Sequence, residues 1–345
     1  MIDKRTVFVL GAGASCPYGY PSGARLRERI CLSEGFWQDY QASRQIPQVN
    51  IRLQHIQEFK ERFNKSRIKS IDLFMAKNPK LASMGKYIIA FEIFRAEQRS
   101  CFGEEAQLQK EQIADLQRHG KRGVSQFLSL PVFQGGDWYS YLYNRLMGEA
   151  LGKNDLPDFS NGNLAFVTFN YDRSLEHFLY EGLCNLFEGD LHDEVLGRLK
   201  QLRILHVYGQ IAPLKWQDSE KGVDYHAQIT ESLLQSASSN IRTIYEEKEN
   251  PELIEAQNLL KQAREIFFLG FGYARENMSV LNLPASIPQN CWVYGTAFGG
   301  NNEEVKRIRK RIVEGLLTDP PNIKGEIRIN IEPTDCLELL RNHLD

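Results

Sequence analysis

The sequence predicts an α/β protein: a Rossmann-like, doubly wound, mainly parallel sheet carrying a large helical insertion subdomain. Three observations carry that expectation. Short apolar runs, several closed by a small residue, recur along the chain. Helical patterns fall between most of them. The first run leads directly into Gly11-Ala12-Gly13-Ala14-Ser15. Buried strands that alternate with helices belong to parallel sheets covered on both faces.

In chain order, the strand signals are residues 6–10, 164–168, 202–207, 266–269, 292–294 and 327–331. Between them, apolar spacing predicts helices over 24–32, 173–187, 251–264 and 303–316. The first two strands are separated by about 150 residues, far more than one crossover needs. Much of that stretch reads as helix, including 81–97 and 137–151. Residues 35–155 are therefore expected to form an inserted helical subdomain, with 1–34 and 156–345 forming the sheet domain. No internal repeat or low-complexity tract interrupts this pattern.

Composition excludes several classes. In the 345 residues, 42 basic side chains face 44 acidic ones, so no global basic field recruits nucleic acid. Lys306, Arg307, Arg309, Lys310 and Arg311 form the one dense basic run; it reads as exposed helix surface, with a nucleic-acid contact as the alternative. Arg25, Arg27 and Arg29 read as a solvated helix face. The six cysteines lie more than four residues apart, so no C-x-x-C zinc pair exists, and they read as reduced, mostly buried thiols. No cleavable leader opens the chain and no run approaches the ~20 apolar residues of a membrane span. The expected compartment is the cytoplasm.

Ligands of parallel sheets bind where strands end, so residues at those ends are the candidates. Gly11 and Gly13 would let backbone approach a phosphate. The match to G-x-G-x-x-G is imperfect: Cys16 stands where the third glycine belongs, and Pro17 and Gly19 predict a longer loop before the next helix. Two further strand ends carry polar groups, Thr168-Phe169-Asn170-Tyr171-Asp172 and His206-Val207-Tyr208-Gly209. Taken singly, Asn170 reads as a cap of the helix that follows it, and His206 as a core histidine with a satisfied hydrogen bond. Gly270-Phe271-Gly272 reads on its own as a tight turn.

Together these elements resemble the sirtuin-like NAD-binding domains, whose pattern is a G-A-G-x-S loop, T-x-N-x-D after a strand, a later histidine close to glycine and a distal G-x-S or G-x-G strand end. Segments such as "DWYSYLYNRL", "HVYGQIAPL" and "YGTAFG" resemble the bacterial anti-phage defence branch of that family. The resemblance implies an NAD+ glycohydrolase that releases nicotinamide and ADP-ribose, with cyclised ADP-ribose as the alternative product, and so depletes NAD during abortive infection. It implies phosphate contacts from Gly11, Ala12, Gly13 and Ser15, with Asn170 and Asp172 around the nicotinamide ribose. His206 would serve as general base. Gly270, Gly272 and Thr296 would lie toward adenosine. NAD+ is then substrate, with no further cofactor and no zinc or other metal. Implied partners are further copies of the chain and a separate HerA-type ring ATPase. A non-catalytic subunit sensing NAD or ADP-ribose is the alternative. A Ser15–Asp172–His206 hydrolase triad is disfavoured, because no G-x-S-x-G elbow surrounds Ser15.

Overall fold

A computed structural model describes residues 2–32, 49–102, 136–148, 156–187, 191–243, 246, 250–314 and 328–344. Six strands form one sheet: β1 (Thr6–Leu10), β2 (Leu164–Thr168), β3 (Arg203–His206), β4 (Glu265–Leu269), β5 (Trp292–Thr296) and β6 (Arg328–Glu332). Every neighbouring pair is parallel, in the order β3-β2-β1-β4-β5-β6. This is the order of the doubly wound dinucleotide-binding sheets.

The strand sequences account for their places. β1, β2 and β4 are buried along their whole length, as near-continuous apolar runs require, whereas β3 and β6 are partly exposed and lie at the edges. Register aligns Phe166, Phe8, Phe267 and Tyr294 across four neighbouring strands. Their rings stack at centroid spacings of 5.3, 5.2 and 4.8 Å, which locks the register as well as filling one face.

After β1 come α1 (Ala12–Ser15), α2 (Gly23–Leu32), α3 (Val49–Ser66), α4 (Ile71–Lys77), α5 (Pro79–Gln98) and α6 (Trp138–Met147). α7 (Ser174–Leu186) and α8 (His192–Leu199) link β2 to β3, and α9 (Glu231–Asn240) and α10 (Pro251–Gln262) link β3 to β4. α11 (Arg275–Val280), α12 (Asn302–Glu314) and α13 (Cys336–His343) complete the described helices.

Within the stretch expected to be inserted, α5 is buried all round over residues 87–94, and Ile88, Ile89, Ala90 and Phe91 are wholly inaccessible. Such a helix must be covered on every side. α9 packs along it, and Tyr87 donates to Glu231 at 2.8 Å. The boundary expected at 34/35 falls outside the described residues, and that at 155/156 falls at their edge.

The arginines of α2 do not form a solvated face. Arg25 is exposed beside Glu28, but Arg27 donates to the Ile68 carbonyl and Arg29 pairs with the buried Glu92 of α5. α2 therefore docks on the helices that follow it. All six cysteines are free thiols; Cys31, Cys101, Cys291 and Cys336 are buried. No described helix is long and apolar enough to cross a membrane.

Candidate functional site

β1 and β4 are neighbours, and the chain leaves them in opposite directions across the sheet. A crevice opens at such a switch point, beyond the carboxyl ends of the strands. The glycine turn after β1 and Gly270 after β4 form its floor. Gly11 N–H donates to the Leu269 carbonyl and Gly13 N–H to the Gly270 carbonyl, both at 3.0 Å. A Cβ on Gly11 would lie 2.6 Å from the Gly270 oxygen, and one on Gly13 2.8 Å from the Gly270 Cα. One on Gly270, whose φ is +57°, would lie 2.0 Å from the Ala14 nitrogen. All three glycines are thus demanded by the contact of two loops.

The segment after the turn is more regular than the expected long loop. α1 winds one turn from Ala12, and residues Cys16–Tyr18 tighten into a 3-10 turn closed by Gly19 at φ +99°. Proline at the start of the 3-10 turn and glycine at its end suit these positions. The Trp138 indole of α6 holds this segment by donating to the Ala14 carbonyl at 2.8 Å. The N–H groups of Gly11 and Gly13 bond the β4 loop, and that of Ala14 bonds Gly11, so these three are not free for a phosphate. Ala12 and Gly13 remain half-buried at the crevice.

Above this floor lies a cavity of about 720 Å³, bordered by Gly13, Cys16, Gly270, Gly272, Thr296 and Arg307. Its volume is in the range of small-molecule sites. Thr296 Oγ accepts from the Gly270 N–H at 2.8 Å, tying β5 to the floor. Gly272 has open space where a Cβ would stand. Burial, with the nearby Asp172 carboxylate, pushes the Cys16 thiol up to about 11, so it is protonated at neutral pH. The basic run of α12 is divided. Arg307 and Arg311 border the cavity, Lys306 pairs with Glu303, and Arg309 donates to Asn330.

Asn170 and Asp172 follow β2 and meet the other side of the glycine turn. Asn170 Nδ2 donates to the Gly11 carbonyl at 3.1 Å and to Ser15 Oγ at 3.0 Å, across 159 and 155 residues of chain. Asn170 is therefore not a cap of α7. The N-cap residue is Arg173, which makes no side-chain cap bond, while Asp172 Oδ1 accepts from the Ser174 N–H at 3.2 Å. Asn170 Oδ1 is buried and accepts no hydrogen bond among the described residues. Burial raises the Asp172 carboxyl above the usual range, partly offset by hydrogen bonds from Ser174 and Ser15. Tyr139 of α6 reaches into the same cluster, 2.8 Å from Ser174 Oγ.

His206 lies behind this group. Strand pairing sets it beside Thr168, and its Nδ1 is 2.9 Å from the Asn170 carbonyl. Its Nε2 is 2.6 Å from Glu176 Oε1 in the first turn of α7. Burial alone would push the imidazole down. The Glu176 charge and hydrogen bond, together with the Asn170 carbonyl, outweigh it and hold the ring above its ordinary value. Both ring nitrogens are thus engaged, Nδ1 with the Asn170 carbonyl and Nε2 with the Glu176 carboxyl. Asn170, Asp172 and His206 do not border the cavity over Gly13.

The expected residues thus fall into two adjoining groups that share the glycine turn. Gly13, Gly270, Gly272 and Thr296 surround the cavity, while Gly11, Ser15, Asn170 and Asp172 form a buried polar network backed by His206. Glu176 was not foreseen. An acid in the first turn of a helix ordinarily answers the helix dipole, and only the pairing of β2 with β3 shows that it faces His206. Among the described residues, no group of three His, Cys, Asp or Glu side chains is placed to hold a metal ion. Fold and crevice define an α/β protein with a switch-point cavity. Beyond that class, neither any protein-family model nor any curated protein matches the chain.

Proposed function

We propose that the chain is a sirtuin-like NAD+ glycohydrolase that releases nicotinamide and ADP-ribose, acting in anti-phage defence by depleting NAD. The observation that carries this reading is Asn170. Its amide nitrogen is pinned to Gly11 and Ser15 while its Oδ1 is left buried without a donor. A buried acceptor without a partner costs about 1–3 kcal/mol, and a functional group held this way is poised for a ligand. It stands beside the glycine turn, whose Gly13 borders the cavity that would take the pyrophosphate.

Breaking the nicotinamide–ribose bond expels neutral nicotinamide, so no general acid is required. The developing oxocarbenium charge is what a site must stabilise. Asn170 Oδ1 would face that charge or orient the attacking water. In this reading His206 fixes the Asn170 main chain rather than accepting a proton. Gly272 and Thr296 would lie toward the adenosine end. Self-association, a ring-forming ATPase partner and a cytoplasmic setting belong to the same proposal and rest on the resemblance alone.

The non-catalytic sensor remains a second reading, favoured by the two engaged nitrogens of His206 and by the cavity lining, which omits Asn170. Incubation with NAD+ and chromatography of nicotinamide separates them. The hydrolase reading expects release that falls about 100-fold or more in Asn170→Ala. Release unchanged by that substitution overturns it, and ADP-ribose binding without release supports the sensor.

A further inference from the structure

Phe298 stands on the rim of the switch-point cavity and is 74% exposed, the most exposed large apolar side chain among the described residues. It follows β5 in the segment Ala297-Phe298-Gly299-Gly300. That segment is a fixed turn. Ala297 N–H donates to the Glu332 carbonyl at 2.6 Å, Gly300 N–H donates to the Ala297 carbonyl at 2.8 Å, and Gly299 adopts φ +72°. Behind the turn, Val305 and Ile308 of α12 are packed into the core. The Phe298 ring lies outside that core, exposed on the cavity rim.

An aromatic face so placed gains most from a flat partner that covers it. We infer that Phe298 is the platform on which the purine base of a bound nucleotide stacks. This rests on the dinucleotide reading above, in which adenosine lies toward Gly272 and Thr296, and adds to it the side chain that holds the base. The reacting end must reach Asn170, which follows β2. Phe298 follows β5, and β2 and β5 lie on opposite sides of the central β1–β4 pair. The end that reaches Phe298 is therefore the one remote from the bond that breaks, and in NAD+ that end is adenosine. The concave setting favours a small planar ligand over a protein face, and the charged residues Arg307 and Asp335 border the same cavity. Base–aromatic stacking depends on the ring and tolerates a change of aromatic side chain, which gives the test its control.

Titration calorimetry with ADP-ribose, 5′-AMP and nicotinamide mononucleotide tests the assignment on wild type, Phe298→Ala and Phe298→Trp. Phe298→Ala is expected to weaken ADP-ribose and 5′-AMP about tenfold or more while leaving nicotinamide mononucleotide within about twofold. Phe298→Trp is expected to restore binding, with its fluorescence quenched by 5′-AMP. Unchanged affinity of Phe298→Ala for ADP-ribose and 5′-AMP overturns the platform and leaves the dinucleotide reading standing. An equal loss for all three ligands also overturns it, since that marks a distorted site. A wild-type protein that binds none of them overturns the dinucleotide reading and the platform with it.

Discussion

At Gly270 the backbone is left-handed and in contact with the opposing turn, so the position tolerates no side chain. Gly270→Ala adds strain and a backbone clash, expected to cost about 2–4 kcal/mol. Gly272→Ala, two residues on, meets open space and is expected to stay within about 0.5 kcal/mol of wild type. Urea denaturation of both variants checks the pair, and equal stability would contradict the interpretation of the floor. The same pair separates structure from ligand, because a methyl group on Gly272 stands in the cavity and is expected to weaken nucleotide binding. The sequence made the glycines conspicuous but could not divide these roles. A glycine that lets two loops touch and a glycine that makes room for a ligand have the same letter. Asn170 was legible as a residue at a strand end. Its partners were not, since Gly11 and Ser15 come near it only after the sheet forms.

Among the elements, the junction of α5, α7 and the segment following β3 is held by one buried side chain. Arg173 uses both faces of its guanidinium fork. It makes paired 2.9 Å bonds to Glu97 and donates to the carbonyls of Pro213, Val223 and Asp224. Arg173 and Glu97 are both wholly buried. Removing one partner leaves the other charged and unpaired, so Arg173→Met or Glu97→Met is expected to cost about 3–5 kcal/mol. The double variant is expected to cost clearly less than the sum, because neither charge is then stranded. Simple additivity in denaturant unfolding would contradict that account. Apolar periodicity over 81–97 revealed α5. Nothing in local pattern announces that an arginine just before α7 will be its anchor, since arginine is usually exposed.

For the whole molecule, the half-buried His177 and the buried His206 act on stability in opposite directions. Burial, aided by the charges of His226 and Arg173, pushes the His177 imidazole down to about 3 from 6.5. Between those values the unfolded chain binds a proton that the folded chain refuses. Stability therefore falls on acidification through this window, by about 1.4 kcal/mol per pH unit. His206 is raised instead, so its contribution is complete below about 6.5 and is lost as pH rises through its folded value. His177→Phe, which keeps the ring stacked 3.7 Å from Tyr225, is expected to flatten the acid limb, and Glu176→Gln the alkaline limb. Unfolding free energies measured from pH 4 to 9 check both, and an acid limb unchanged in His177→Phe would contradict the assignment. At this scale the sequence was most informative. Alternating apolar runs and helices foretold the parallel sheet nearly strand for strand, because burial on both faces writes itself into composition. The order of the strands was not written there, and with it went the distinction between the cavity on the β4–β5 side and the polar network on the β2–β3 side.

The central claim is that one dinucleotide spans these two regions across the glycine turn. A crystal structure of the protein with ADP-ribose tests it most directly. The account predicts the pyrophosphate beside Gly13 and Gly270, the adenine toward Phe298, and the distal ribose toward Asn170. ADP-ribose bound elsewhere on the molecule, or in the cavity with its distal ribose directed away from Asn170, would contradict it.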